Sequence, residues 1–346
     1  MYSMSVDLLA SDLTTLCGAS VLTSGLNATA GDVRILQHFQ TVTSLTMGGS
    51  LLRNVMHSAV AKTAWDRPYL MHMVLAVSAA HMKWLTPAST QAKQHQEFAV
   101  SEAMHWQIGL ELYQAELARK RPPPPNTICT DFDPLVSAAF LAVIITFALD
   151  KSIPIDALSS EESGSALQVL SPMAAAGGFS ALRCILGEFD GTSDWAAVLM
   201  DSDDRSGTFT NTLPGIDGLP AAFVSLCDLN SESTCENSPY HSILRRLAPL
   251  LRLVPDTENF GKLIAFIGRT WLDFRPLILR KDPRALLLLA WWLTLLGQVD
   301  QWWISERARS ECAAIVHFLS TLRNPRIQAL LPFPAPFGET NPSYIY

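Results

Sequence analysis

The chain has 346 residues, 49% of them apolar and 16% charged, with a net charge of −7. That balance excludes a disordered chain and gives a phosphate backbone no attractive overall field. Its six cysteines, Cys17, Cys129, Cys184, Cys227, Cys235 and Cys312, form no C-x2-C pair, which argues against a zinc module and for free thiols in a reducing compartment. The length suits one large domain or two ordinary ones. No basic segment followed by an apolar run opens the chain, so no secretory signal is read and an intracellular, cytoplasmic location is expected.

Residues 1–32 are rich in Ser, Thr, Gly and Ala and read as a weakly ordered segment. The remainder, 33–346, reads as a single all-α domain with an irregular insertion near 192–239. Asp32 is the expected cap of a helix from Val33, with Ile35, Leu36, Phe39 and Val42 at helical spacing. Gly48–Gly49 ends it, and Ser50 caps a second helix to Ala64 with Leu52, Val55, Met56 and Val60 inward. Arg67–Pro68 opens the clearest helix, which runs to the residues before Pro87. Its small residues Ala76, Ser78, Ala79 and Ala80 admit a close neighbour. A long amphipathic helix follows over Thr90–Arg119, with Phe98, Met104, Ile108, Leu112 and Leu117 as its apolar positions. Arg119, Lys120 and Arg121 sit at its end, where they complement the helix dipole.

Pro122–Pro125 stops that helix, and Asp133–Pro134 starts an apolar core helix to Leu149. Ser163–Ile185 reads as helical with a break at Gly177–Gly178. Within the insertion, a helix is expected near Leu219–Leu226. Helices resume at Pro239, at Thr257–Phe274 and over Pro283–Gly338. No alternating strand pattern and no repeat emerges. The expected fold is therefore all-α, with stacked antiparallel helices around an apolar core or pocket.

The last stretch carries four of the nine tryptophans, as Trp291–Trp292 and Trp302–Trp303. Leu286–Leu296 is apolar almost all round, the signature of a buried helix, yet too short for a bilayer span of ~20 residues. No transmembrane segment is expected. Adjacent side chains on a helix point ~100° apart, so the two rings of a pair face different ways. Core packing is their expected role. Should a pocket exist, Trp291, Trp292, Trp302 and Trp303 are its wall candidates, with Tyr69, His72 and Arg284 as hydrogen-bond donors.

His72 and His81 are nine residues apart, half a turn out of phase, so one metal does not easily take both from one helix. Structural, hydrogen-bonded histidines are expected, with His57 at a surface and His95 and Glu102 as a solvated pair. No G-x-S-x-G elbow, P-loop, dinucleotide fingerprint or H-E-x-x-H is present. Asp201, Asp203 and Asp204 read as part of a solvated loop. No cofactor, metal or catalytic residue is assigned.

Several segments resemble one family. LQHFQTVTSLTM (36–47) resembles its opening L-L-x-H-F-x-T-x-T motif. RPYLMHMVLAVSAAHMKWL (67–85) resembles its H-P-x-L-x-H-x-L-L-A-L-S-A-x-H-L helix through Pro68, Leu70, His72, Leu75, Ala76, Ser78, Ala79 and His81. HQEFAVSEAMHWQIGLELYQ and the DPRALLLLAWWLTLLGQVDQWWISERARSECAAIVHFL segment resemble later helices. The family is the C-terminal regulatory domain of fungal zinc-cluster transcription factors of the sterol uptake control type. The resemblance covers roughly 36–150 and 240–338. It implies an all-helical domain with a deep apolar pocket near its C-terminal helices. Those factors also carry a six-cysteine zinc cluster and a basic segment. Residues 1–35 hold one cysteine and one arginine, so a product of residues 1–346 alone is expected not to bind nucleic acid directly by that route.

Two functions fit. One is a cofactor-independent cyclase of fungal secondary metabolism, a pericyclase of Diels–Alder type folding a hydrophobic terpenoid or polyketide intermediate. Holding reacting carbons in near-attack geometry supplies ~7–11 kcal/mol without a nucleophile. The alternative is a transcriptional regulator, or a ligand-sensing partner of a complete zinc-cluster factor, located in the nucleus. A carrier of a hydrophobic metabolite is a plainer third. The expected partner is a hydrophobic small molecule, with a homodimer as a further expectation.

Overall fold

The computed structural model describes residues 29–119, 132–149, 172–179, 182, 193–203 and 213–332. The protein is all-α: the described residues form helices and turns and no strand. They group into two compact units. One unit comprises Met1–Leu45 and Met56–Arg121, the other Thr46–Val55 and Pro122–Tyr346.

In the first unit, α1 (Ala30–Thr41) starts a turn earlier than expected. Thr29, not Asp32, is its cap. The Thr29 hydroxyl accepts from the Asp32 N–H at 3.2 Å, and the Asp32 carboxylate accepts from the Thr29 N–H at 2.8 Å. Asp32 is thus the third helical residue of a reciprocal capping box. A 3-10 turn, Thr43–Thr46, follows.

The expected helix over 50–64 keeps its path but changes its winding. α2 (Ser50–Asn54) passes into a π-helical stretch, Val55–Val60, which carries the chain between the units, and then into α3 (Ala61–Ala64). Ser50 begins α2 without capping it. Its N–H and hydroxyl donate to the Glu258 carboxylate, the hydroxyl at 2.8 Å.

Next come α4 (Pro68–Leu85) and α5 (Ala88–Arg119), joined by Thr86–Pro87. Every residue of α4 from Tyr69 to His81 is buried. Pairing across the two helices runs Tyr69 with Tyr113, His72 with His105 and Lys83 with Glu102. As one number rises the other falls, so the pair is antiparallel.

The buried side of α5 differs from the expected one. It consists of Phe98, Glu102, His105, Gly109 and Tyr113, at helical spacing but mostly polar. Met104 is 46% exposed and Leu112 40%, whereas Glu102 is 3% exposed. The reason lies on α4. Lys83 Nζ meets Glu102 Oε2 at 2.7 Å, so the charges travel inward as a pair. His95 is likewise not a solvated partner of Glu102, because its Nδ1 lies 2.7 Å from the Thr86 carbonyl. Gly109 permits the close approach: a Cβ there would stand 3.2 Å from the Met73 backbone nitrogen. The Ser78 hydroxyl donates to the Ile35 carbonyl at 2.6 Å and ties α1 to α4.

The second unit contains α2, α6 (Phe132–Ala148), a helical stretch over 172–179, α7 (Ala196–Asp203), α8 (Ala221–Leu226), α9 (Pro239–Leu250), α10 (Phe260–Leu279), α11 (Pro283–Gln298), α12 (Ser305–Thr321) and α13 (Pro325–Gln328). α11 is its hub, packed on α12, α10, α9 and α13 and buried from Ala285 to Gly297. Asp282 caps it, accepting from the N–H groups of Arg284 and Ala285. Arg307 joins α12 to α6 by donating to the Thr146 carbonyl at 2.7 Å, while its Nε meets the buried Glu311 at 2.6 Å.

Other expectations change here. Gly177–Gly178 does not break its helix, which runs through both residues. Gly177 is a packing contact instead, since a Cβ there would fall 2.4 Å from Trp271 Cδ1. The parts of 163–185 outside 172–179 and residue 182 lie outside the described residues. Helix α10 continues past Phe274 because Pro276 faces solvent, where its missing N–H costs least.

The described parts of the insertion, 193–203 and 213–239, hold more helix than its composition suggests. α7 forms where a loop was read, because Trp195 and Leu199 are buried one turn apart. Asp133 supports the start of α7 by accepting from the Ser193 hydroxyl and the Asp194 N–H. Asp201 and Asp203 therefore lie on a helix, with Asp204 outside the described residues. Further on, the Arg245 guanidinium gathers the carbonyls of Pro214, Gly215 and Asp217. Cys227, Cys235 and Cys312 are free thiols. Among the described residues no helix is long and apolar enough to cross a membrane.

The Lys83–Glu102 pair gives a direct test of the polar seam. Lys83→Met or Glu102→Leu alone breaks this largely desolvated pair and should lower unfolding stability by about 3–5 kcal/mol. The double variant should recover most of the loss in urea titrations. Additive losses would show that the two charges act independently.

Candidate functional site

The second unit holds an apolar hollow with a cavity volume of ≈ 60 Å³. One wall is a triangle of rings. The Phe140 centroid lies 5.9 Å from Phe179 and 5.5 Å from Trp195, and Phe179 lies 6.2 Å from Trp195. The Trp195 N–H donates to the Ser137 hydroxyl at 2.9 Å, which commits its polar edge to α6. The facing wall is a stripe of α10, Gly261, Ile264, Ala265, Gly268 and Arg269. Spacings of three and four place these residues on one helical face. Gly261 leaves open space where a Cβ would stand, with no atom within 4 Å. Arg269 is the sole charged residue among the described lining residues. The arrangement can receive an apolar group and offer a guanidinium donor beside it.

The first unit holds a chain of polar side chains. His105 Nε2 lies 3.0 Å from Asp32 Oδ1, and His105 Nδ1 lies 2.9 Å from His72 Nδ1. Only one of the facing Nδ1 atoms can donate. A His105 that gives its Nε2 proton to Asp32 and is otherwise neutral must accept from His72. Burial alone would raise the Asp32 carboxyl, but bonds from the Thr29 N–H, His105 and the Thr29 hydroxyl outweigh it and hold the group below its ordinary value. His72 is pushed down to about 4 by burial first and by His105 second, against the pull of Asp32. His81 is also pushed down to about 4, by burial and then by His38. Its Nδ1 lies 3.0 Å from the Thr43 hydroxyl. Among the described residues no group of three or more His, Cys, Asp or Glu side chains could hold a metal ion.

The residues singled out from the sequence fall in both units, and none of them lines the hollow. Tyr69 is buried on α4 with its ring 5.8 Å from that of Tyr113, and His72 belongs to the chain just described. Arg284 bonds Asp228 at 2.5 Å and lies over the Tyr240 ring. Trp291 and Trp292 are core residues whose N–H groups donate to the carbonyls of Leu330 and Leu263. Trp302 donates to the Thr46 hydroxyl and Trp303 to Gln301 Oε1.

Sequence reasoning missed Phe140, Phe179, Trp195 and the α10 stripe. The small residues Gly261, Ala265 and Gly268 at helical spacing were the available signal. Trp195, a lone large residue in a polar stretch, was another.

The two low histidine values set a pH dependence. An unfolded histidine takes up its proton near pH 6.5, whereas folded His72 and His81 do so only near 4. Between those values the unfolded state binds more protons, so stability falls as pH falls, by about 1.4 kcal/mol per pH unit for each histidine. The Asp32 contribution is lost lower, as pH drops below the ordinary carboxylate range. Urea titrations from pH 7 to 4.5 should show this slope, and His72→Gln should remove about one proton from it. A flat profile would contradict the assignment.

Residues 34–151 match the family model described as a fungal specific transcription factor domain. No curated protein matches the chain. The match covers the first of the two stretches in which the motif resemblance lies. Residues 34–151 are accordingly similar to a fungal specific transcription factor domain.

Proposed function

We propose that the chain is a ligand-sensing regulatory domain of fungal transcription-factor type, and that the hollow of the second unit receives an apolar small molecule. The match over 34–151 carries this reading. The hollow adds the means, since a buried apolar surface filled by a ligand stabilises whichever state contains it. A sensing role requires no acid–base pair at the hollow. Under this reading the protein works in the nucleus, and a homodimer is a further arrangement open to it.

A cofactor-independent cyclase of Diels–Alder type is the second reading, favoured by the Arg269 guanidinium at an otherwise apolar wall. Such a donor polarises a carbonyl on a bound dienophile while the walls hold the reacting carbons together. The hollow would have to widen, because ≈ 60 Å³ does not hold a folded terpenoid or polyketide. That requirement places the cyclase second.

The Gly261→Phe variant separates the two. Its side chain enters open space and should block the hollow without unfolding α10. For a sensor, deleting the gene in its fungal host or installing this variant should shift the transcripts of a common gene set. An unchanged transcript profile with a linear precursor accumulating would transfer the assignment to the cyclase.

A further inference from the structure

We propose that the outer face of α5 pairs with the same face of a second copy of this chain, the two helices running antiparallel. The inference concerns the first unit alone. It goes beyond the reading of the hollow and does not depend on it. It starts from the inversion of α5. That helix buries Glu102 and His105 and turns Val100 and Met104 outward, at 57% and 46% exposure.

The exposed positions follow a coiled-coil repeat. Lys93, Glu97, Val100, Met104, Gln107 and Glu111 are all exposed, and the steps between them alternate between four residues and three. A repeat of that kind keeps one straight seam on a helix, here over about 27 Å. The kink at Gln91 lies outside it. Ala103, exposed, and Ile108, half-buried, flank the two central positions with small or apolar side chains.

Charge sets the direction of the pairing. A parallel pair would place Lys93 on Lys93 and Glu111 on Glu111. An antiparallel pair centred between Val100 and Met104 places Val100 on Met104 twice, Glu97 on Gln107 and Lys93 on Glu111. One patch therefore complements itself about a two-fold axis. The groups are open to such contacts. Among the described residues Lys93 and Glu97 make no ion pair. Glu111 Oε1 accepts from Gln107 Nε2 at 3.1 Å, which leaves its other oxygen for Lys93 and the second amide proton of Gln107 for Glu97. The apolar centre is small, so the pair is weak and set by concentration.

The test is sedimentation velocity of the full chain over a concentration series, on the parent and on Met104→Glu, Lys93→Glu, Glu111→Lys and the double Lys93→Glu/Glu111→Lys. All three positions are exposed, so each variant should melt like the parent. The parent should pass from monomer to dimer as concentration rises. Met104→Glu and each single charge reversal should raise the dissociation constant roughly ten-fold or more, and the double reversal should bring it back near the parent value. A parent that stays monomeric throughout, or a dimer that Met104→Glu leaves intact, overturns the α5 interface. Single reversals without effect, or a double variant no better than either single one, overturn the antiparallel register. Assembly that runs past the dimer overturns the two-fold pairing.

Discussion

A helix that is apolar on every side has no face for water, so neighbours must surround it. Two helices in this protein impose that demand, α4 in one unit and α11 in the other. Around α11 the demand is met by α9, α10, α12 and α13. Its tryptophans sharpen the requirement. Each indole carries an N–H that cannot be buried unpaired, and Trp291 and Trp292 use carbonyls of Leu330 and Leu263 on different neighbours. The same two rings therefore supply apolar contact and fix where the flanking segments lie.

Around α4 the solution is chemically different. Its partner α5 turns a polar stripe inward and leaves Val100, Met104 and Leu112 exposed. That is tolerable because each polar group meets a specific partner. Lys83 finds Glu102, and His105 finds both His72 and Asp32. A buried pair of this kind adds little net stability over apolar packing. It does fix register, since sliding the helices by one turn would separate Lys83 from Glu102. Asp32 serves twice, closing the first turn of α1 and orienting His105.

Small residues set the shape of the second unit as much as large ones do. Gly177 lets Trp271 pack against its helix. On α10, Gly261, Ala265 and Gly268 line the same hollow as the rings of Phe140, Phe179 and Trp195. Neither wall alone makes a cavity. Large rings opposite Leu or Phe would have filled the same volume.

The sequence by itself determined the helical class, the buried character of α4 and α11, and the family resemblance over residues 34–151. These are local properties. Periodicity, apolar runs, Pro68 and Pro283 at helix starts and the order of motifs are all readable along one segment. Only the tertiary structure decided which face of α5 is buried, because a charge can enter a core when another helix supplies its partner, and Lys83 lies on α4 while Glu102 lies on α5. It also decided that Trp291, Trp292 and Trp303 are core rings, that Trp195 and Phe179 line the hollow, and that the described residues fall into two units. A cavity belongs to the space between elements. No single segment encodes it, since its size depends on what each facing helix leaves unfilled.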